Sequence, residues 1–173
     1  KHGKSIASAR AGNVFGGGDW ALDRIIPDCI RALESNKPIE IRNPKAIRPW
    51  QHVLEPLSGY MLLASKMWDE PTKYCEGWNF GPRAESITSV WKVATKVIEN
   101  YNNRGELRDI SDPDALHEAR LLMLDISKAK FLLGWEPRMN INQCVALTID
   151  WYKGYKQNSI YELCLNEIST FLV

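Results

Sequence analysis

Three stretches of the chain combine residue types that could bind phosphate or move a proton. Gly12-Asn13-Val14-Phe15-Gly16-Gly17-Gly18 is rich in glycine, which lets a backbone approach a ligand because it has no side chain and tolerates positive φ. Its spacing, G-x-x-x-G-G-G, is neither the G-x-G-x-x-G dinucleotide fingerprint nor a P-loop. It therefore reads either as a plain strand-to-helix turn or as a ligand approach. Ile41 to Trp50 places Arg42, Lys45 and Arg48 beside the amide of Asn43 and the indole of Trp50. Such a set suits a pyrophosphate and a flat base, since a guanidinium meets phosphate oxygens bidentately; a solvated basic loop is the other reading. Tyr152 and Lys156 have Y-x-x-x-K spacing, in which a lysine lowers a tyrosine pKa for proton transfer beside a nicotinamide. Here the pair lies on a polar helix near the end of the chain, with no nucleotide-binding unit before it, and reads as coincidence.

The remaining candidates carry less. His117-Glu118 forms either a loop pair or a substrate contact, and Asp112 and Asp114 flank Pro113 as turn residues do. The cysteines at 29, 75, 144 and 164 show no C-x-x-C spacing and have no histidine close in sequence, so free thiols are expected and neither a disulfide nor a metal site.

The elements that must position these residues alternate. Residues 5–11 read as a strand and 21–35 as an amphipathic helix with Leu22, Ile25, Ile26, Cys29, Ile30 and Leu33 at helical spacing. Ile39 to Arg42 is a short strand, Asn43 to Pro49 a loop, and Trp50 to Val53 a further extended piece. A helix opens at Glu55-Pro56, with Pro in its first turn, and runs to about Trp68, burying Leu57, Tyr60, Met61, Leu62, Ala64 and Met67. Gly77 to Pro82 is a strand ending in a turn. Ser86 or Thr88 caps a helix carrying Val90, Trp91, Ala94, Val97 and Ile98 inward. After a polar break over 100–108, a brief strand spans 121–124 and a helix runs from Asp125 to a C-cap at Gly134. Helices over 140–156 and 160–171 close the chain. The fold class is α/β, and most of the seven tryptophans are expected to anchor the core.

The 173 residues suffice for one substantial core. A composition of 45% hydrophobic and 25% charged residues excludes wholesale disorder. The net charge of +1 argues against a nucleic-acid partner. No apolar run approaches membrane-spanning length and the start leads into no signal-peptide core, so a cytoplasmic protein with no membrane partner is expected. Strand 5–11 begins the chain without a covering helix or partner strand, whereas parallel strands are normally covered on both faces. The chain thus reads as the second part of a larger unit, with an edge prone to self-association.

Arg10-Ala11-Gly12-Asn13-Val14-Phe15-Gly16 resembles the R-x-x-N-V-(Y/F)-G segment of the extended short-chain dehydrogenase/reductase superfamily, which modifies nucleotide sugars. Arg24-Ile25-Ile26-Pro27, the run Ile47 to Val53, Trp78-Asn79-Phe80-Gly81 and Leu133-Gly134-Trp135-Glu136-Pro137 resemble further family segments in the right order. Glu55 stands where relatives usually have Asp. Within the superfamily, Ala9 to Trp20 with Asp23-Arg24, and Ile41 to Leu57 with Ser58-Gly59-Tyr60, resemble the CDP-glucose 4,6-dehydratases.

The resemblance implies the C-terminal part of a Rossmann-type fold: the last parallel-sheet strand or strands, plus a mixed α/β substrate-binding lobe. Residues 1–20 would end the NAD-binding sheet, and 21–173 would form most of the nucleotide-sugar lobe. The implied reaction is NAD-assisted conversion of CDP-glucose to CDP-4-keto-6-deoxyglucose and water. The NAD fingerprint and the catalytic Tyr and Lys lie upstream in the family, so no catalytic residue is assigned and the chain alone is expected to be inactive, with little or no NAD binding. Ala11 and Gly12 match positions lining the nicotinamide. Asn13, the helix start at Arg24 and Ile25, and Arg48 match pyrophosphate contacts. Glu40 and Arg42 fall on the strand that lines the base pocket, where an acid and a cation suit cytosine. Relatives often carry a second phosphate arginine where this chain has Asp114 to Glu118; His117 or Arg120 would serve there. A homo-oligomer is implied for the full-length enzyme. Another nucleotide-sugar dehydratase or epimerase, or a catalytically silent fragment, are the alternatives.

Overall fold

The computed structural model describes residues 4–113 and 121–173. The order is β1 (Ser8–Ala11), β2 (Asn13–Phe15), α1 (Ile25–Glu34), β3 (Ile39–Ile41), β4 (Ile47–His52), α2 (Leu54–Asp69), β5 (Gly77–Phe80), β6 (Ile87–Ser89), α3 (Val90–Tyr101), β7 (Leu107–Asp109), α4 (Ile141–Gly154) and α5 (Ile160–Leu172). A 3-10 turn precedes β6, and a π-helical turn spans Ala129–Leu133. No helix among the described residues is long and apolar enough to cross a membrane.

The first strand is shorter than its sequence suggests, and a second follows it. Beyond Gly12 the chain changes partner: β1 runs parallel to β5, with Ala11 opposite Phe80, and β2 runs parallel to β4, with Asn13 opposite Trp50. A Cβ on Gly12 would lie 2.5 Å from the Pro49 carbonyl oxygen, so this crossover requires glycine. β1 is not the buried strand that its sequence suggests, since Ser8, Ala9 and Arg10 are exposed. The expected loop before Trp50 is also corrected. Ile47 to Pro49 belong to β4, because β6 pairs with them antiparallel, Arg48 facing Thr88. Proline is tolerated in this outer segment of the strand. β3 pairs in parallel with β7, a strand that begins within the stretch read as a polar break and ends just past it.

Two cores result. The larger gathers Phe15 and Trp50 with α1 (Ile26, Cys29, Ile30, Leu33), α3 (Val93, Ala94, Val97) and α4 (Cys144, Val145, Ile149, Trp151). The smaller joins Leu63 of α2 with Tyr74, Trp78, Phe80, Leu133 and Trp135. The four cysteines are free thiols, Cys29 and Cys144 buried. Four tryptophans anchor the cores, whereas Trp68 is 88% exposed.

Local chemistry explains the helix ends. Asn140 and Gln143 form a reciprocal capping box on α4. Ser89 caps α3, accepting from the Lys92 N–H at 3.3 Å; Ser86 and Thr88 do not, because the chain is still extended through β6. Gly134 ends its segment with φ +74, as a left-handed C-cap should. Leu121 to Leu124 make only one bridge, between Leu121 and Ile47, rather than a strand. The inward face of α2 differs from the expected one: Glu55, Pro56, Gly59 and Leu63 are buried, and Leu57 and Met61 face outward. The cause is Gly59, whose backbone lies against the Phe80 ring so closely that a Cβ would come within 2.2 Å of it.

Candidate functional site

The partner change between β1 and β2 opens a cavity of about 1010 Å³ bounded by β2, the start of α1, β3 and β4. Seven of the sequence-predicted residues line it together: Gly12, Asn13, Arg24, Ile25, Glu40, Arg42 and Arg48. Ala11 precedes it, half-buried, at the end of β1. His117, Glu118 and Arg120 lie outside the described residues.

Each side chain is placed by its element. Asn13 stands on β2 directly opposite Trp50 of β4, and Arg48 lies two residues before Trp50 on the same strand; the Trp50 indole N–H donates to the Thr88 carbonyl at 3.0 Å. Arg48 is half-buried and donates to its neighbour's carbonyl, Ile47 O, at 3.0 Å. Arg24 is the N-cap of α1 and Ile25 its first residue, so the helix begins at the cavity wall. Glu40 is the middle residue of β3, exposed between buried Ile39 and Ile41, and reaches Arg108 at 4.0 Å; Arg42 follows just beyond the strand.

Of the acids on this wall, sequence reasoning gave a ligand role only to Glu40 and read Asp112 as a turn residue. Asp19, Asp23, Asp28 and Asp112 line the cavity beside Glu40. Asp19 pairs with Arg24 at 3.1 Å, and Asp23 pairs with Arg42 at 2.7 Å. Asp28 pairs with Arg31, whose guanidinium also holds the carbonyls of Trp20 and Ala21. The signal was present in the string from Gly16 to Arg24, where Asp19 and Asp23 precede Arg24, but spacing alone does not say which cation each meets.

The glycine cluster has a structural use. A Cβ on Gly16 would lie 2.7 Å from Val53, and one on Gly17 would lie 2.1 Å from the Trp151 ring. Gly18 turns the chain with φ +81. Trp20 then packs edge-on against Tyr152 and against Tyr155, both at 5.2 Å. Val53 thus closes Gly16, and Trp151 of α4 closes Gly17 and Gly18, which supports the turn reading. With Gly12 closed by Pro49, the described residues form no dinucleotide cradle and do not by themselves fit NAD. The Y-x-x-x-K pair is likewise scaffold. Tyr152 is buried and donates to the Asp19 carbonyl at 2.5 Å, and burial pushes its phenol up to about 12, away from proton transfer near neutrality. Lys156 pairs instead with Glu34 at 2.8 Å.

Behind the cavity, the polar residues following Trp50 are staples. The Gln51 amide donates to Phe80 O at 2.9 Å. His52 is fully buried; its Nδ1 accepts from the Leu54 N–H, leaving Nε2 to face Glu167 of α5 at 3.5 Å. Glu55, also fully buried, accepts the Arg138 and Met139 N–H groups at 2.8 and 2.7 Å on one oxygen. Burial raises its pKa, outweighing the lowering by those two bonds. Among the described residues no group of His, Cys, Asp and Glu is arranged to hold a metal.

No protein-family model matches the chain. It is 43% identical over 173 residues to CDP-glucose 4,6-dehydratase of Salmonella typhimurium, covering 99% of this chain and 48% of that protein. Among solved structures it resembles UDP-glucuronic acid 4-epimerase from Bacillus cereus, in complex with UDP-glucuronic acid and NAD (TM-score 0.72, 18% identity, 87% of this chain and 46% of that one). It also resembles dTDP-glucose 4,6-dehydratase from Bacillus anthracis, in complex with NAD (TM-score 0.70, 16% identity, 88% and 46%). The chain spans about half the length of these proteins. It is therefore similar along its whole length to about half of a CDP-glucose 4,6-dehydratase, and its mixed α/β architecture is that of the extended short-chain dehydrogenase/reductase dehydratases and epimerases.

Proposed function

We propose that this chain supplies the nucleotide-sugar-binding part of a CDP-glucose 4,6-dehydratase, with the cavity between β2, α1, β3 and β4 as the seat of the CDP moiety. The observation that carries the reading is the gathering of Asn13, Arg24, Ile25, Glu40, Arg42 and Arg48 around one cavity large enough for a nucleotide. In this reading Arg48 meets the diphosphate with its guanidinium fork. The Asn13 amide adds donors, and the first turn of α1, with Arg24, gives the phosphates a positive helix end. Glu40 takes the base edge, its carboxylate accepting from the cytosine amino group, and the Arg42 guanidinium at the cavity rim donates to phosphate oxygens of the ligand. Residues 1–20 belong to the NAD-binding sheet and 21–173 to the substrate lobe. The complete enzyme is a homo-oligomeric lyase that uses NAD, for which the described residues contribute Ala11 and Gly12 at most.

A second reading, an epimerase or dehydratase for another nucleotide sugar, draws on the likeness to the UDP-glucuronic acid epimerase. Calorimetric titration with CDP, UDP, dTDP and GDP separates the two. The proposal expects CDP to bind most tightly; tight UDP binding without CDP binding refutes it in favour of the second reading.

A further inference from the structure

The cavity that would receive a diphosphate is, among its described lining residues, richer in acids than in cations: five carboxylates against three guanidiniums. A bare surplus of this sign repels an anion. The arrangement of the acids resolves the conflict. Asp23 and Arg42 lie 19 residues apart, on the segment entering α1 and at the end of β3, and meet at 2.7 Å at the cavity rim. Both side chains are largely exposed, 75% for Asp23 and 66% for Arg42. An ion pair so open to water is weak, because both partners are nearly as well served by solvent. It holds the guanidinium beside the cavity without locking it.

From this geometry we infer that Asp23 is a resident counter-ion for Arg42, which the anionic part of the bound nucleotide displaces. The inference rests on the nucleotide reading of the cavity and adds a residue that sets how strongly ligand charge is read. An uncharged nucleoside has nothing to exchange for the Asp23 carboxylate. A nucleoside diphosphate does, but it must compete with that carboxylate for Arg42 and bind close to its charge. Asp23 thereby lowers affinity for every anion, most steeply for weak ones, and favours ligands that engage Arg24 and Arg48 as well. Asp23 adopts φ +62, a conformation that asparagine also accepts, so Asp23→Asn removes the charge while retaining shape and backbone.

The test is calorimetry with CDP and with cytidine on the wild-type protein, D23N, R42Q and the double variant, at low salt. D23N is expected to tighten CDP binding by roughly three- to tenfold and to leave cytidine unchanged, with the gain falling below about twofold in the R42Q background and at high salt. If the wild-type protein binds CDP but D23N leaves its affinity unchanged, weakens it, or improves it equally without Arg42, the counter-ion role is overturned and the nucleotide site stands. If the cooperatively folded wild-type protein binds no CDP, the nucleotide reading falls and this inference falls with it.

Discussion

Replacing Glu55 by alanine is expected to cost about 3–5 kcal/mol of folding stability. The carboxylate is fully buried at the start of α2 and accepts two backbone N–H bonds, from Arg138 and Met139, more than 80 residues along the chain. Those two donors sit just before the capping box of α4, so one side chain fixes the approach to that helix. A hydrogen bond to a charged group contributes about 1.5–3 kcal/mol, and a buried donor left without a partner forfeits most of that. Two such losses, partly relieved by water entering the vacated space, give the stated range. In a domain of this size that corresponds to a fall of roughly 6–20 °C in Tm. Glu55→Gln keeps an oxygen for both donors and separates charge from geometry. Burial raises the Glu55 pKa, so between the ordinary carboxylate value and the raised one the native state holds a proton that the unfolded chain has lost. Wild-type stability therefore falls as pH rises through that window, and Glu55→Gln flattens the fall. Urea unfolding of the three proteins across this range measures both effects. A loss below about 1 kcal/mol in Glu55→Ala, or an unchanged pH slope in Glu55→Gln, would refute the reasoning.

Gly17→Ala is expected to destabilise by about 1–3 kcal/mol in the same assay, since its Cβ would meet the Trp151 ring at 2.1 Å and overpack the contact. Tyr152→Phe should cost about 1 kcal/mol through the lost bond to the Asp19 carbonyl. In an absorbance titration of the folded wild-type protein, Tyr152 should ionise only near pH 12; ionisation near neutrality would revive a proton-transfer role. Arg48→Ala should weaken CDP by roughly tenfold to a hundredfold in calorimetry with little change in Tm, as loss of a charged diphosphate contact implies.

The helices were legible because their apolar residues recur at helical spacing, although α1 starts at Ile25 and leaves Leu22 exposed, and only α3 and α4 begin at a side-chain cap. Gly134, the start of α4 and the limits of α5 followed from the sequence to within a residue, whereas α4 ends at Gly154, two residues before the expected limit. The short strands were not. β2 and β7 have three residues each, too few for alternation to show, and both exist because a partner elsewhere in the chain pairs with them. The face of α2 was misread in part for a related reason: Leu57, Tyr60, Met61, Leu62, Ala64 and Met67 have the spacing of one broad face, but with Gly59 against Phe80 the helix keeps Tyr60, Leu62 and Met67 at the core and leaves Leu57, Met61 and Ala64 exposed. At the cavity, the residues brought together were those a family resemblance already marked. The opposing acids were missed because Asp23 finds Arg42 only once β3 has folded back beside α1.

The segment that most resembles a ligand loop thus serves the site indirectly. Gly16 and Gly17 are closed by Val53 and Trp151, Trp20 is held by Tyr152 and Tyr155, and Arg31 ties down the carbonyls of Trp20 and Ala21. These contacts come from Arg31 of α1, from Trp151 and Tyr152 of α4 and its C-cap Tyr155, and from Val53 between β4 and α2, and none of those residues lines the cavity. What they fix is the position of Asp19 and Asp23, whose carboxylates turn to Arg24 and Arg42. Glycines here permit close packing of a wall, and the wall carries the charges. A change in the α4 aromatic cluster would therefore reach the cavity by moving its counter-ions, without touching any residue that meets the nucleotide.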